Sequence, residues 1–256
     1  MPFASQIPSS DPALFDKARK IAEELARGFM REDVAGIAFL GALVRGYFDR
    51  HADIDIAVFA AGGPGSISVP QYQRIDGIEV HCHRASIDDE TAATWDMAKR
   101  WAYSESSIRY DPHGRLRRLL EQQVPLRPEE RRWLMISGIT LSEWYINRLT
   151  TLWVERGSLP SAHDMFGPGL DHFFDALFSL NGELVADFKW RLFCAERLSV
   201  LPDDFSGGMA EVMRVRELDE HELARRRKVF MAMWRQMLPL VEREVGASYD
   251  EFKDTV

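Results

Sequence analysis

The sequence predicts two parts of different class: an α/β (α+β) domain with a mixed sheet over residues 1–125, followed by an all-α helical bundle over 126–256. Three observations predict this. Short apolar runs set between glycines and polar turns, the pattern of strands, occur only before residue 125. Beyond Arg127, apolar residues recur at helical spacing over 129–156, 170–199 and 209–245. A chain of 256 residues, 46% of them hydrophobic, is long enough for one large core or two smaller ones.

The elements follow in order. Asp11 before Pro12 supplies a cap and a first-turn proline, and Leu14, Ala18, Ile21, Ala22 and Leu25 form one apolar stripe on the helix that follows. Gly36 closes the link to a buried strand over 37–40, and a glycine-bounded turn runs from Gly41 to Gly46. A second strand covers 54–59, and the glycine-rich stretch over 60–66 reads as a flexible tip. Strands over 69–74 and 78–83 are joined by Asp76-Gly77, a hairpin signal. Helical patterns begin after Ile87, interrupted by a short strand over 108–110, and Asp111-Pro112 opens the next helix. In the second half, breaks are expected at 157–160, at Gly167-Pro168-Gly169 and over 201–208.

Bulk composition excludes several classes. The formal net charge is −8 and neither half of the chain is basic, which argues against general nucleic-acid binding, where affinity rests on neutralising phosphates. The acidic balance is compatible with a cationic small substrate, though many enzymes of neutral substrates are equally acidic. No apolar run approaches the roughly 20 residues of a membrane span. The first residues lack the basic and apolar regions of a signal peptide. Cys82 and Cys194 are the two cysteines, too few for a disulfide framework or a thiolate zinc site, and a reducing cytoplasm is the expected compartment.

The chemistry-bearing residues lie in the first part. Asp53 and Asp55 flank Ile54, so the two-residue period of a strand turns both carboxylates to one face and Ile54, Ile56 and Val58 to the other. Glu79, between Ile78 and Val80, repeats the pattern. Three converging carboxylates repel one another unless a cation joins them, and hard oxygen donors suit Mg²⁺. Upstream, a strand ends in the glycine-flanked turn Gly41-Ala42-Leu43-Val44-Arg45-Gly46, where backbone amides can approach phosphate oxygens and Arg45 can add a charge-assisted contact. An anion cradle followed by a metal-binding acid pair is what phosphoryl chemistry requires.

With those residues in place, 37–83 resembles the minimal nucleotidyltransferase fold of the DNA polymerase β superfamily. The family pattern is a Gly-Ser turn, a second glycine, Asp-x-Asp or Asp-x-Glu, and a third acid on a later strand. Here these read Gly41-Ala42, Gly46, Asp53-Ile54-Asp55 and Glu79. The length, the helical second half and the stretch from Ala176 to Asn181 through Lys189-Trp190 resemble the antibiotic-modifying members, the kanamycin and lincosamide nucleotidyltransferases. The resemblance implies transfer of a nucleoside monophosphate from a Mg²⁺-bound triphosphate, ATP foremost, to a hydroxyl of a small molecule such as an aminoglycoside or lincosamide. Asp53, Asp55 and Glu79 would hold the metal, and a homodimer is the implied assembly. Two other outcomes share the fold: nucleotidylation of a protein or tRNA, as in toxin-type relatives, and a binding module without turnover. One departure stands out. Ala42 occupies the place of the family serine, which removes a hydroxyl and leaves a backbone amide.

Residues outside the motif complete the set. By resemblance to kanamycin-type enzymes, Glu143 on the first long helix of the second part is the candidate general base, with Glu79 the alternative. Lys189, read as lying on an amphipathic helix, is a candidate phosphate contact. His81 and His83 share a strand face with Glu79 but read as edge or exposed residues, since nitrogen is not the donor Mg²⁺ prefers. Trp133, Trp144, Trp153, Trp190 and Trp234 read mainly as packing residues, one or two of which would suit an acceptor cleft. The run Arg225-Arg226-Arg227-Lys228 follows several acids and reads as a solvated helix face, with Glu222 and Arg226 at i,i+4 spacing. Arg216 and His221, spaced as in helical ribonuclease toxins, read as a chance pair in a charged helix.

Overall fold

The computed structural model describes residues 10–256; the amino-terminal stretch over 1–9, read above as carrying no leader, lies outside the described residues. The chain divides into two compact units, one ending at Pro125 and the other spanning Leu126–Val256.

The first unit opens with α1, Pro12–Phe29, whose amino terminus is capped by the Asp11 carboxylate accepting from the amides of Ala13 and Leu14. Five strands follow: β1 Val34–Leu40, β2 Ile54–Ala60, β3 Tyr72–Ile75, β4 Ile78–Ser86 and β5 Ser107–Tyr110. They form one mixed sheet in the order β3-β4-β2-β1-β5. β2 and β4 are parallel and every other pair is antiparallel. On one face, Ile37, Phe39, Ile54, Ile56, Val58, Val80 and Cys82 pack against Ala18, Ile21 and Ala22 of α1. On the other, Ala38, Leu40, Ala57 and Phe59 meet Trp95, Tyr103, Leu116 and Leu119. Those partners surround or lie on three short helices: α2 Ile87–Ala92, α3 Met97–Ser104 and α4 Arg115–Gln123. With both faces covered, all seven residues of β1 are buried.

Two sequence expectations shift in this unit. β3 begins at Tyr72, while Val69 is buried in the core ahead of the strand. The helix expected to open at Asp111-Pro112 opens at Arg115; Asp111 caps it from upstream, accepting from the amides of Leu116 and Arg117.

The second unit is helical. Its longer helices are α5 Pro128–Glu143, α8 Phe166–Leu180 and α11 Glu220–Val245. Between them come α6 Thr150–Glu155, α7 Leu159–Asp164, α9 Arg191–Ala195 and α10 Phe205–Met213, and α12 Tyr249–Phe252 closes the chain. α5 runs into α6 through a π-helical turn, Trp144–Leu149. Phe166, Phe173, Phe178 and Phe230 are fully buried, and the Trp234 indole N–H donates to the Ile139 carbonyl at 2.8 Å.

Three breaks differ from expectation. Gly167-Pro168-Gly169 does not interrupt the chain: the proline falls in the first turn of α8, where its missing N–H costs nothing, and Gly169 lets Ile146 approach. The expected helix over 170–199 stops at Leu180, because Asn181 turns its side chain back to the carbonyl of Leu177 and Gly182 takes φ +74°. The expected helix over 209–245 is interrupted between α10 and α11, where Asp219 caps the new helix through the Glu222 amide. No helix among the described residues is long and apolar enough to cross a membrane.

Candidate active site

The site is built where β1 ends beside the start of β2. Leu40 is paired with Asp55 across the sheet, and the chain then turns through Gly41–Leu43, a single 3₁₀ turn. Gly41 takes φ +65°, a left-handed conformation that a side chain disfavours. A side chain is excluded for a second reason. A Cβ at Gly41 would stand 2.5 Å from Oδ2 of Asp55, so the backbone of the turn lies directly against that carboxylate. Val44 and Arg45 donate their amides to the Gly41 carbonyl, both at 3.3 Å, and Gly46 ends the turn at φ +77°. Ala42 is buried in the apolar core on the α1 side.

Asp53 stands one residue before β2, and Asp55 lies within it, partly buried. The parallel pairing sets Asp55 level with His81 and Ala57 level with His83. Each histidine reaches diagonally to the aspartate two residues before its level: His83 Nε2 lies 3.1 Å from Asp55 Oδ1, and His81 Nε2 lies 3.7 Å from Asp53 Oδ2. Tyr72 on β3 packs edge-on against the His81 ring at 5.3 Å. The hydrogen bond to Asp55 raises the His83 pKa above its ordinary value of 6.5, against the opposing effect of burial. Cys82 faces the opposite, apolar side, where burial pushes its thiol up to about 11.

Glu79 stands on the same strand face but is engaged elsewhere. It is opposite Arg74 in the β3-β4 hairpin, and Arg74 donates to its Oε1 at 2.9 Å. Among the described residues, no group of three or more His, Cys, Asp or Glu side chains is disposed to hold a metal ion. The Asp53 and Asp55 carboxylates still match Mg²⁺ in kind, because that ion is commonly held by one or two carboxylates and completes its shell with water and substrate phosphate.

Arg45 departs from its expected role. Its guanidinium donates to Glu105 at 2.6 Å and to the Trp101 carbonyl at 2.9 Å, and it lies over the Trp101 ring at 3.9 Å. With the Arg45 side chain only 9% exposed, these contacts fix the turn to α3 rather than present a cation to an anion.

Glu143 and Lys189 belong to the helical unit. Glu143 is buried, accepting from Asn147 Nδ2 at 2.7 Å with Arg148 Nε at 3.3 Å. Lys189 is exposed and lies in a turn between α8 and α9, its amide bonded to Asp187, and not on a helix. The basic run on α11 is knit into its own unit. Arg225 binds Glu222 and Glu211, while Arg226 is buried over the Phe166 ring, so the partner of Glu222 is Arg225 and not Arg226. Arg216 also binds Glu211. Of the tryptophans, Trp234 is buried, whereas Trp133 and Trp144 are exposed.

No protein-family model matches the chain, and no curated protein matches it. Among solved structures, it is similar to a nucleotidyltransferase-like protein from Exiguobacterium sibiricum 255-15, with 14% identity and a TM-score of 0.47 over 90% of this chain and 78% of that one.

Proposed function

We propose that this chain transfers a nucleoside monophosphate from a Mg²⁺-bound nucleoside triphosphate, ATP foremost, to a hydroxyl of a small acceptor. The observation that carries the reading is the abutment of the Gly41 turn on Asp55, a glycine-opened backbone turn touching one of two neighbouring carboxylates at the start of β2. In the proposed reaction the acceptor oxygen bonds to the α-phosphorus. The bond from that phosphorus to the β-bridging oxygen breaks, and pyrophosphate leaves with the electron pair. The hydroxyl proton passes to a carboxylate, with Glu79 and Glu143 proposed for that task. Asp53 and Asp55 would hold Mg²⁺, which when bound neutralises charge on the triphosphate. The backbone of Gly41, Ala42 and Gly46 would approach the phosphates, and exposed Lys189 would supply a further phosphate contact. A net charge of −8 and the resemblance to antibiotic-modifying enzymes favour an aminated acceptor of aminoglycoside or lincosamide type.

The test is mass spectrometry of an acceptor panel incubated with protein, Mg²⁺ and each nucleoside triphosphate. The expected result is a gain of one nucleoside monophosphate on one acceptor, reduced about 10²–10³-fold or more by Asp55→Asn, the scale of losing one electrostatic group at a reacting centre. An adduct that forms equally well with Asp55→Asn overturns the reading. Nucleotide binding without any adduct favours the binding module, for which the missing hydroxyl at Ala42 speaks.

A further inference from the structure

We propose that the helical unit carries a binding site for a neutral, polyhydroxylated molecule of sugar type, in the cavity beside the π-helical turn. The cavity measures about 760 Å³, and Thr140, Glu143, Trp144, Arg148, Tyr249 and Lys253 line it. Small-molecule sites typically measure about 300–1,000 Å³. The residues that line it all belong to the helical unit, and although Glu143 is also one of the two carboxylates proposed above as proton acceptor, binding here does not rest on that reaction.

The π turn gives the cavity its chemistry. Where α5 passes into Trp144–Leu149, the helix widens so that residues five apart come onto one face, a geometry that recurs at functional sites. Arg148 thereby meets Glu143, five residues earlier, at 3.3 Å, and Asn147 adds a bond at 2.7 Å. The buried carboxylate is thus already balanced. Lys253 is likewise paired, with Asp250 at 2.5 Å. A cationic ligand would meet Arg148 and Lys253, and an anionic one would meet Glu143 and Asp254. Neither charge is favoured.

What the cavity offers is hydroxyl chemistry. Thr140 is only 8% exposed, and its buried hydroxyl has no hydrogen-bond partner among the described residues. Threonine takes two rotamers in a helix, so this hydroxyl can turn to a bound partner at small cost. The Tyr249 phenol, pushed up to about 12 by burial and the neighbouring Glu143, is protonated at neutral pH like any tyrosine and can donate. Trp144, 41% exposed, supplies an aromatic surface for the C–H face of a sugar ring. A purely apolar molecule would leave the Thr140 hydroxyl unsatisfied. A polyol can donate and accept at each of these groups.

Saturation-transfer NMR decides the proposal, with maltose, sucrose and myo-inositol as neutral probes and glucosamine as the cationic comparator. At least one neutral probe is expected to bind wild type and Asp55→Asn alike, so that failure of the nucleotide reading leaves this result untouched. Thr140→Val, close to isosteric, and Trp144→Ala are each expected to weaken binding about tenfold, the size of one good contact. Trp144→Phe is expected to retain most of it. If Thr140→Val does not fold, the two Trp144 variants decide. The proposal is overturned if no neutral probe binds, if glucosamine alone binds, or if the folded variants bind as wild type does.

Discussion

Arg45 shows how a side chain and its sequence neighbours can point in different directions. Next to a glycine turn, an arginine reads as a phosphate ligand, but its guanidinium is closed off by Glu105 and Trp101. Arg45→Met keeps the aliphatic stem and removes the charge. It is expected to lower stability in urea unfolding by about 1–2 kcal/mol, the range of a desolvated cation–π contact with its hydrogen bonds. Nucleotide affinity should stay within about twofold, so a large affinity loss at unchanged stability would restore the phosphate role. His83 gives the complementary case. The period of two shows that Glu79, His81 and His83 share a face. Only the side-chain contacts across the β2-β4 pair decide that His81 and His83 meet the aspartates, while Glu79 meets Arg74. Because Asp55 raises the His83 pKa, the interaction stabilises the fold fully below about 6.5, the unfolded value. It is lost as pH rises through the higher folded value. An NMR titration should show His83 titrating above 6.5, and Asp55→Asn should return it toward that value.

At the scale of elements, glycines inside helices mark close contacts. A Cβ at Gly138 on α5 would stand 2.6 Å from both the Ala176 nitrogen and the His172 carbonyl oxygen of α8. Backbone atoms cannot step aside. Alanine is the better helix former by about 1 kcal/mol, so Gly138→Ala would stabilise an isolated α5. In the folded unit it is expected to cost about 1–3 kcal/mol through overpacking, measured as a drop in the denaturation midpoint. No change or a gain would show that the two helices are not held at this distance. The same physics accounts for Gly169 against Ile146, which is why Gly167-Pro168-Gly169 sits inside a helix. Lys189 was misplaced for a related reason. Apolar spacing over 170–199 looks helical throughout, but Asn181 binds the Val200 carbonyl and amide, and the segment between them holds only the short helix α9, with Lys189 in the turn before it.

On the scale of the molecule, the division at Pro125 separates two sets of buried residues. The helical unit draws its largest buried groups, among them Phe166, Phe173, Phe178 and Phe230, from its own helices. A fragment spanning Leu126–Val256 is therefore expected to keep a helical circular-dichroism spectrum and to melt cooperatively; a broad, non-cooperative melt would show that its core is incomplete. The sequence by itself determined the class of each part and the strand–turn–strand order from Gly36 to His83. These follow from local periodicity and turn chemistry, which act over a few residues. Tertiary structure alone decided that Asp55 is met by His83, that Glu79 is held by Arg74 and Arg45 by Glu105, and that Glu143 lies buried beside a cavity. The Glu79–Arg74 pair closes a local hairpin; the others depend on strand register or helix phase, set by packing between separate elements. A sequence period specifies which face a residue occupies, but not what stands opposite it.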